Sequence, residues 1–101
     1  MPYDKRDLFD ERGQRCECGC NKLAQDAHHC LINRRKRFPE LDCPENIALV
    51  NHDEHILRKF DNLDWRRYFW KRQCDRYGVD HMMKWVESLP NKLSNRLDFI
   101  T

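Results

Sequence analysis

The 101-residue sequence predicts an α+β fold: a small β-hairpin followed by a helix, with one helix before this core and two after it. Three observations carry the prediction. Two short segments with strand character, "LAQDAHH" and "NIALV", flank a loop that holds two prolines. A segment with a helix-start signature, "NHDEHILRKF", follows at once. Two longer segments with apolar material on a polar background then end at Gly78 and just before Pro90.

A chain of this length reads as one domain, residues 1–101, with a core at about 14–60 and a C-terminal helical extension at about 61–90. Such a chain buries about 60–70% of its surface, so it has one small core. A metal ion or a partner then adds useful stability. With 40% hydrophobic and 36% charged residues, the chain is expected to fold as a very polar domain. No apolar run approaches the roughly 18 residues a membrane span needs. The N-terminal "MPYDKRDLFD" has no apolar h-region, so no signal peptide and a cytoplasmic location are expected, the host cytoplasm if phage-encoded.

Each element has its own local signal. "DKRDLFDER" (residues 4–12) reads as a short polar helix that stops at Gly13. "RCECGCNK" reads as a turn-rich knuckle. In "LAQDAHH" the alternation is weak, and "NRRKRFPELDCPE" is a loop broken by Pro39 and Pro44. "NIALV" is apolar and forms the second strand. Asn51 is the N-cap of the next helix, with Glu54 three residues on, close to a capping box. His55 falls in its first turn. The next helix starts at Asp61 or Asn62, and Leu63, Tyr68, Phe69, Trp70, Cys74 and Tyr77 supply its apolar material. The last helix starts at Asp80, with Met82, Met83, Trp85, Val86 and Leu89 as an apolar band. These side chains are expected in the core. The polar tail after Pro90 is expected to fray.

Charge is distributed unevenly on a chain of net charge +2. Arg34, Arg35, Lys36 and Arg37 form one basic run, and Arg58 to Arg76 holds seven basic residues against three acidic ones. Local basic surfaces of this kind suit nucleic-acid contact, although a solvated helix face has the same composition. The six cysteines point to metal or free thiols rather than disulfides. Cys16, Cys18 and Cys20 alternate too tightly to bridge neighbours and suit a zinc knuckle better, though the usual ligand spacing is wider.

The histidines suggest chemistry. Adjacent strand residues face opposite ways, so His28 and His29 cannot both bind one metal from a regular strand. One can ligate while the other faces a different atom, and a helix packed over the strands can bring His55 to the metal side. Two imidazoles on a divalent ion and one free imidazole are the parts phosphodiester hydrolysis needs: a polarising cation and a base active at neutral pH. Taken alone this spacing is a weak signal, and structural histidines are the simpler reading.

Order and spacing together add to it. "DAHH" ends at His29, Asn46 opens "NIALVNHDEH", and His55 lies nine positions after Asn46. Ile47, Leu49 and Val50 form an apolar stretch between them, and "KRDLFDERGQRCECG" lies upstream. Over about residues 5–58 this resembles the HNH endonuclease family, whose core is the ββα-metal fold. The resemblance implies that His28 and His55 ligate a divalent metal ion (Mg²⁺, Mn²⁺, Ni²⁺ or Zn²⁺) and that His29 is the general base. It implies that the Asn46 side chain holds the loop carrying the base. Water would attack phosphorus in line, with the metal stabilising the departing 3′ oxygen, to give a 5′ phosphate and a 3′ hydroxyl. Asp26 shares the His28 face as a second-sphere group or, more simply, a surface acid. His52 reads as a surface residue of the capping region, and His81 as incidental.

The sequence also departs from the family. Many members hold a structural zinc on two Cys-x2-Cys pairs; here Asn51 and Glu54 stand where the second pair belongs, and the first pair has become Cys16-x-Cys18-x-Cys20. A structural zinc is therefore not expected, and a rearranged site on Cys16, Cys18 or Cys20 with Cys30 or Cys43 is the alternative. The Arg34–Arg37 run lies between the base and Asn46, where it would contact DNA phosphates without selecting sequence. The implied protein is a small HNH nuclease of phage or mobile-element type acting on DNA, with packaging or recombination proteins as further partners. The alternatives are a non-catalytic DNA-binding or assembly protein built on the same core, and a zinc-knuckle interaction module.

Overall fold

The computed structural model describes residues 4–33 and 36–100. Arg34 and Arg35, half of the basic run, lie outside the described residues. The order is α1 (Lys5–Arg12), β1 (Asp26–His29), β2 (Ile47–Val50), α2 (His52–Arg58), α3 (Leu63–Tyr77) and α4 (Val79–Glu87), with short 3₁₀ helices at Pro39–Leu41, Pro44–Asn46 and Asn91–Arg96. This is the expected α+β arrangement of a hairpin, a following helix, and flanking helices.

Local chemistry sets the helix ends. The Asp4 carboxylate accepts from the Arg6 N–H and starts α1; Gly13, at φ +83°, ends it from the left-handed region that a side chain disfavours. Asn51 caps α2 by accepting from the Glu54 N–H at 3.2 Å. The reciprocal half of a capping box is not formed, because the Glu54 carboxylate pairs instead with Lys22 Nζ at 3.1 Å and Arg58 Nε at 2.9 Å. Of the two cap candidates for α3, Asn62 is the one used, accepting from the Trp65 N–H at 3.0 Å. Helix α4 starts one residue before Asp80, directly after Gly78, without a side-chain cap.

The strands pair antiparallel with Asp26 opposite Val50, Ala27 opposite Leu49, His28 opposite Ala48, and His29 opposite Ile47. Strand β1 is shorter than "LAQDAHH". Leu23 instead bridges back to Arg15, and Asn51 Nδ2 donates to the Leu23 carbonyl at 2.9 Å, so residues 23–25 serve the knuckle and the start of α2. Asn46 ends a 3₁₀ turn rather than opening β2.

Side-chain alternation gives the hairpin two faces. Ile47 and Leu49 pack with Leu8 of α1 and Ala24. Ala48 and Val50 belong to the larger core, which takes in Phe60, Phe69, Trp70, Met82 and Val86. Phe60 is fully buried and meets Trp65 and Phe69 edge-on at 4.7 and 5.6 Å. Each such pair adds about 0.5–1.5 kcal/mol beyond burial. Tyr68, expected inside, is 37% exposed, because it lies on the outer edge of the α3 stripe.

The segment after Pro90, expected to fray, is packed on the core through residue 100. Leu93 and Phe99 are buried, and the Phe99 ring lies 5.3 Å from Trp70. Two apolar anchors in a polar segment are enough to hold it, and the polarity of the residues between them masked this in the sequence.

A buried polar clamp ties these layers together. The Glu17 carboxylate accepts from the Leu49 N–H at 2.7 Å, from Arg12 Nη1 at 3.1 Å and from Arg76 Nη2. Arg12 also donates to the carbonyls of Ile47 and Pro44 and to the Tyr77 hydroxyl. Gln73 Nε2 lies 2.9–3.1 Å from the carbonyls of Pro44, Glu45 and Ile47. Side chains from α1, the knuckle and α3 thus grip the backbone on both sides of Asn46.

Candidate active site and cysteine cluster

The Asn46 side chain is fully buried and makes four hydrogen bonds. Its Oδ1 accepts from the Leu31 and Ile32 N–H groups at 3.0 Å each. Its Nδ2 donates to the Ile32 carbonyl at 2.9 Å and the Leu41 carbonyl at 3.0 Å. One amide thereby fixes the chain directly after β1 and the turn at Leu41. This satisfies backbone groups that a buried loop would otherwise leave unpaired.

The histidines converge. A cavity of about 310 Å³ is lined by His28, His29 and His55, with Lys5, Asn33, Lys59 and Asp61 at its margins. Both His28 and His29, neighbours on β1, border this one cavity. Helix α2 lies over the His28 face and brings the His55 ring to 4.6 Å from the His28 ring, edge-on.

His28 packs against Phe60 and Phe69, and its Nε2 is buried without a hydrogen-bond partner. Burial, and next the neighbouring His55, push its pKa down to about 4. The ring is therefore neutral at pH 7, the form that binds metal.

Asp26 is not a plain surface acid. Its Oδ2 takes hydrogen bonds from His55 Nδ1 at 3.0 Å and His52 Nδ1 at 2.8 Å. Burial pushes its carboxyl pKa up, but the hydrogen bonds from His55 and His52 outweigh this and hold it below the usual range. With Nδ1 of His55 committed to Asp26, the lone pair of that imidazole is on Nε2. An orphaned buried imidazole nitrogen beside a carboxylate-oriented imidazole fits a divalent cation.

His29 Nε2 lies 3.0 Å from Asp42 Oδ1, a partner the sequence did not single out. His52 is exposed, as expected of a residue at the helix start, but is tied to Asp26. His81 lies apart, against Glu45 and the Tyr77 ring. Lys36 and Arg37 are exposed in a turn and do not line the histidine cavity. Arg37 lines a neighbouring one.

A second cluster lies in the knuckle. The sulfurs of Cys16, Cys18 and Cys20 are all within 4.8 Å of one another and can hold a metal ion. The segment is a tight turn, closed by the Gly19 N–H on the Cys16 carbonyl at 3.4 Å, and it gathers the three sulfurs while the Glu17 side chain joins the clamp. Gly19, at φ +91°, supplies the turn. Among the described residues the cluster includes neither Cys30 nor Cys43, so the rearranged set weighed from the sequence is not assembled. Burial, with hydrogen bonds from Cys16 and Cys20, pushes the Cys18 thiol up to about 12. Burial raises Cys20 too, but the Lys22 N–H and the adjacent thiols bring it below its ordinary value.

Among the described residues no helix is long and apolar enough to cross a membrane. Comparison with family models, curated proteins and solved structures gives no match for this chain.

Proposed function

We propose that the chain is a metal-dependent HNH endonuclease that hydrolyses DNA phosphodiester bonds with a histidine general base. The observation that carries this reading is the His28–His55 pair, with ring centroids 4.6 Å apart and the His28 Nε2 buried and unpartnered, in one cavity with His29. His28 and His55 hold one divalent cation, Mg²⁺, Mn²⁺, Ni²⁺ or Zn²⁺, and Asp26 orients His55 for it. When bound, the cation supplies positive charge to the phosphate and the leaving 3′ oxygen.

His29 accepts the proton of the attacking water. Asp42, 3.0 Å from Nε2, orients the imidazole for this role. Asn46 acts through the loop: by binding Leu31 and Ile32 it fixes the chain two residues after His29. The Arg34–Arg37 run contributes phosphate contacts. The knuckle cysteines would supply three of the four ligands that a structural zinc takes.

The test is cleavage of supercoiled plasmid by wild type and His29→Ala at matched folding, with each divalent ion and with chelator. Metal-dependent nicking or linearisation that is lost in His29→Ala supports the mechanism. Equal activity in the two proteins removes His29 as base. No cleavage by wild type with any ion favours a DNA-binding or assembly protein on the same core.

A further inference from the structure

We infer that the histidine cavity is one end of a basic groove that carries a DNA backbone along the C-terminal segment, with Lys92 and Arg96 as phosphate-binding residues. This rests on the nuclease reading for the identity of the polyanion, and on cavity geometry for its path. The histidine cavity shares Asn33 and Asp61 with a second cavity of about 200 Å³. That one shares Arg96 with a third, of about 220 Å³, bounded by Arg37, Phe38 and Lys92. The three cavities therefore adjoin through these shared residues in sequence, from β1 to the Asn91–Arg96 turn.

Its charge separates it from the rest of the surface. The chain as a whole carries 19 basic and 17 acidic residues. Lining this groove, among the described residues, are six basic side chains (Lys5, Arg37, Lys59, Arg66, Lys92 and Arg96) and one carboxylate, Asp61. Arg66 is paired with Asp98. The other five basic residues form no ion pair among the described residues, so their charge is available to a ligand. Unneutralised cations that line a concave path concentrate positive potential along it.

The fold explains how a polar tail becomes part of a binding surface. Leu93, within the Asn91–Arg96 turn, and Phe99, just after it, are buried on the core, which holds the turn against the protein. In a 3₁₀ turn, residues three apart share a face, so Lys92 and Asn95 point together into the groove, with Arg96 beside them. The anchored backbone of the turn sets where these cations start from, and contacts of this kind position the strand without reading its sequence.

The experiment measures binding of a labelled DNA duplex to the full chain in chelator, where cleavage does not intervene, across a range of salt. The variant is Lys92→Ala/Arg96→Ala; the control is Lys71→Ala/Lys84→Ala, which removes the same charge from exposed positions outside the groove. Loss of two phosphate contacts lowers the slope of log affinity against log salt by about 2, from roughly 0.9 per contact. The groove variant is expected to show that drop with at least tenfold weaker binding at moderate salt, and the control to show neither. Equal losses in both variants, no loss in the groove variant, or no duplex binding by wild type overturns the inference. If wild type binds through the groove but cuts no DNA with any divalent ion, the nuclease reading fails and the groove stands.

Discussion

Replacing Asn46 by alanine tests the hydrogen-bond arrangement on which the site depends. The change removes partners from two N–H groups and two carbonyls, contributed by Leu31, Ile32 and Leu41. Those residues are at most 2% exposed, so water does not readily replace the lost amide. At the low end of about 1–3 kcal/mol for each buried group left unsatisfied, the four together cost about 4 kcal/mol. That is about a quarter to four-fifths of the stability of a domain whose total is roughly 5–15 kcal/mol. Urea denaturation followed by circular dichroism and tryptophan fluorescence measures it, and amide exchange at Leu31 and Ile32 localises it. Asn46→Asp sharpens the test. Its Oδ1 still accepts from both N–H groups, but at pH 7 its second carboxylate oxygen faces two carbonyl oxygens. It should be at least as unstable as the alanine variant at pH 7, with a smaller deficit in acid, where the protonated group can donate. A loss below about 1 kcal/mol for Asn46→Ala, or an Asn46→Asp protein as stable as wild type at pH 7, refutes the reasoning.

Four further outcomes are expected. Glu17→Ala strips the counterion from Arg12, whose side chain is only 4% exposed, and should cost about 3–5 kcal/mol in chemical denaturation; Glu17→Gln, which still accepts from Leu49, should cost less. Asp26→Asn should weaken divalent-ion binding by roughly 10–100-fold in calorimetry, because His55 loses its orienting carboxylate; unchanged affinity counts against Asp26 as the partner of a ligand. His28 has a folded pKa of about 4 against 6.5 unfolded, so the unfolded chain binds more protons between those values. In chelator, stability should be complete above pH 6.5 and fall by roughly 3 kcal/mol toward pH 4, and His28→Phe should flatten that profile. The knuckle should take up zinc under reducing conditions, release protons as it does so because Cys18 is protonated at neutral pH, and lose the ion in Cys18→Ser; elemental analysis and proton release in weak buffer check this.

Local sequence determined the elements of this protein and several of their ends. Asp4, Asn51 and Asn62 start helices because their side chains reach N–H groups within the next few residues, and Gly13 and Gly78 stop them for equally local reasons. The two-residue period of a strand is enough to separate His28 from His29, and the spacing of Asn46 and His55 marks the rest of the candidate site. Tertiary structure decided what joins residues far apart in the chain. Asp26 meets His52 and His55 only because α2 folds over β1, and Glu17 meets Arg12 and Arg76 only because α1 and α3 close on the knuckle. Lys92 and Arg96 belong to the groove only because Leu93 and Phe99 find the core. No spacing rule encodes such meetings, since a charged side chain on a solvated surface and one in a buried clamp look alike in one dimension. Their difference is the free energy of desolvation, which depends on what the rest of the chain packs around them.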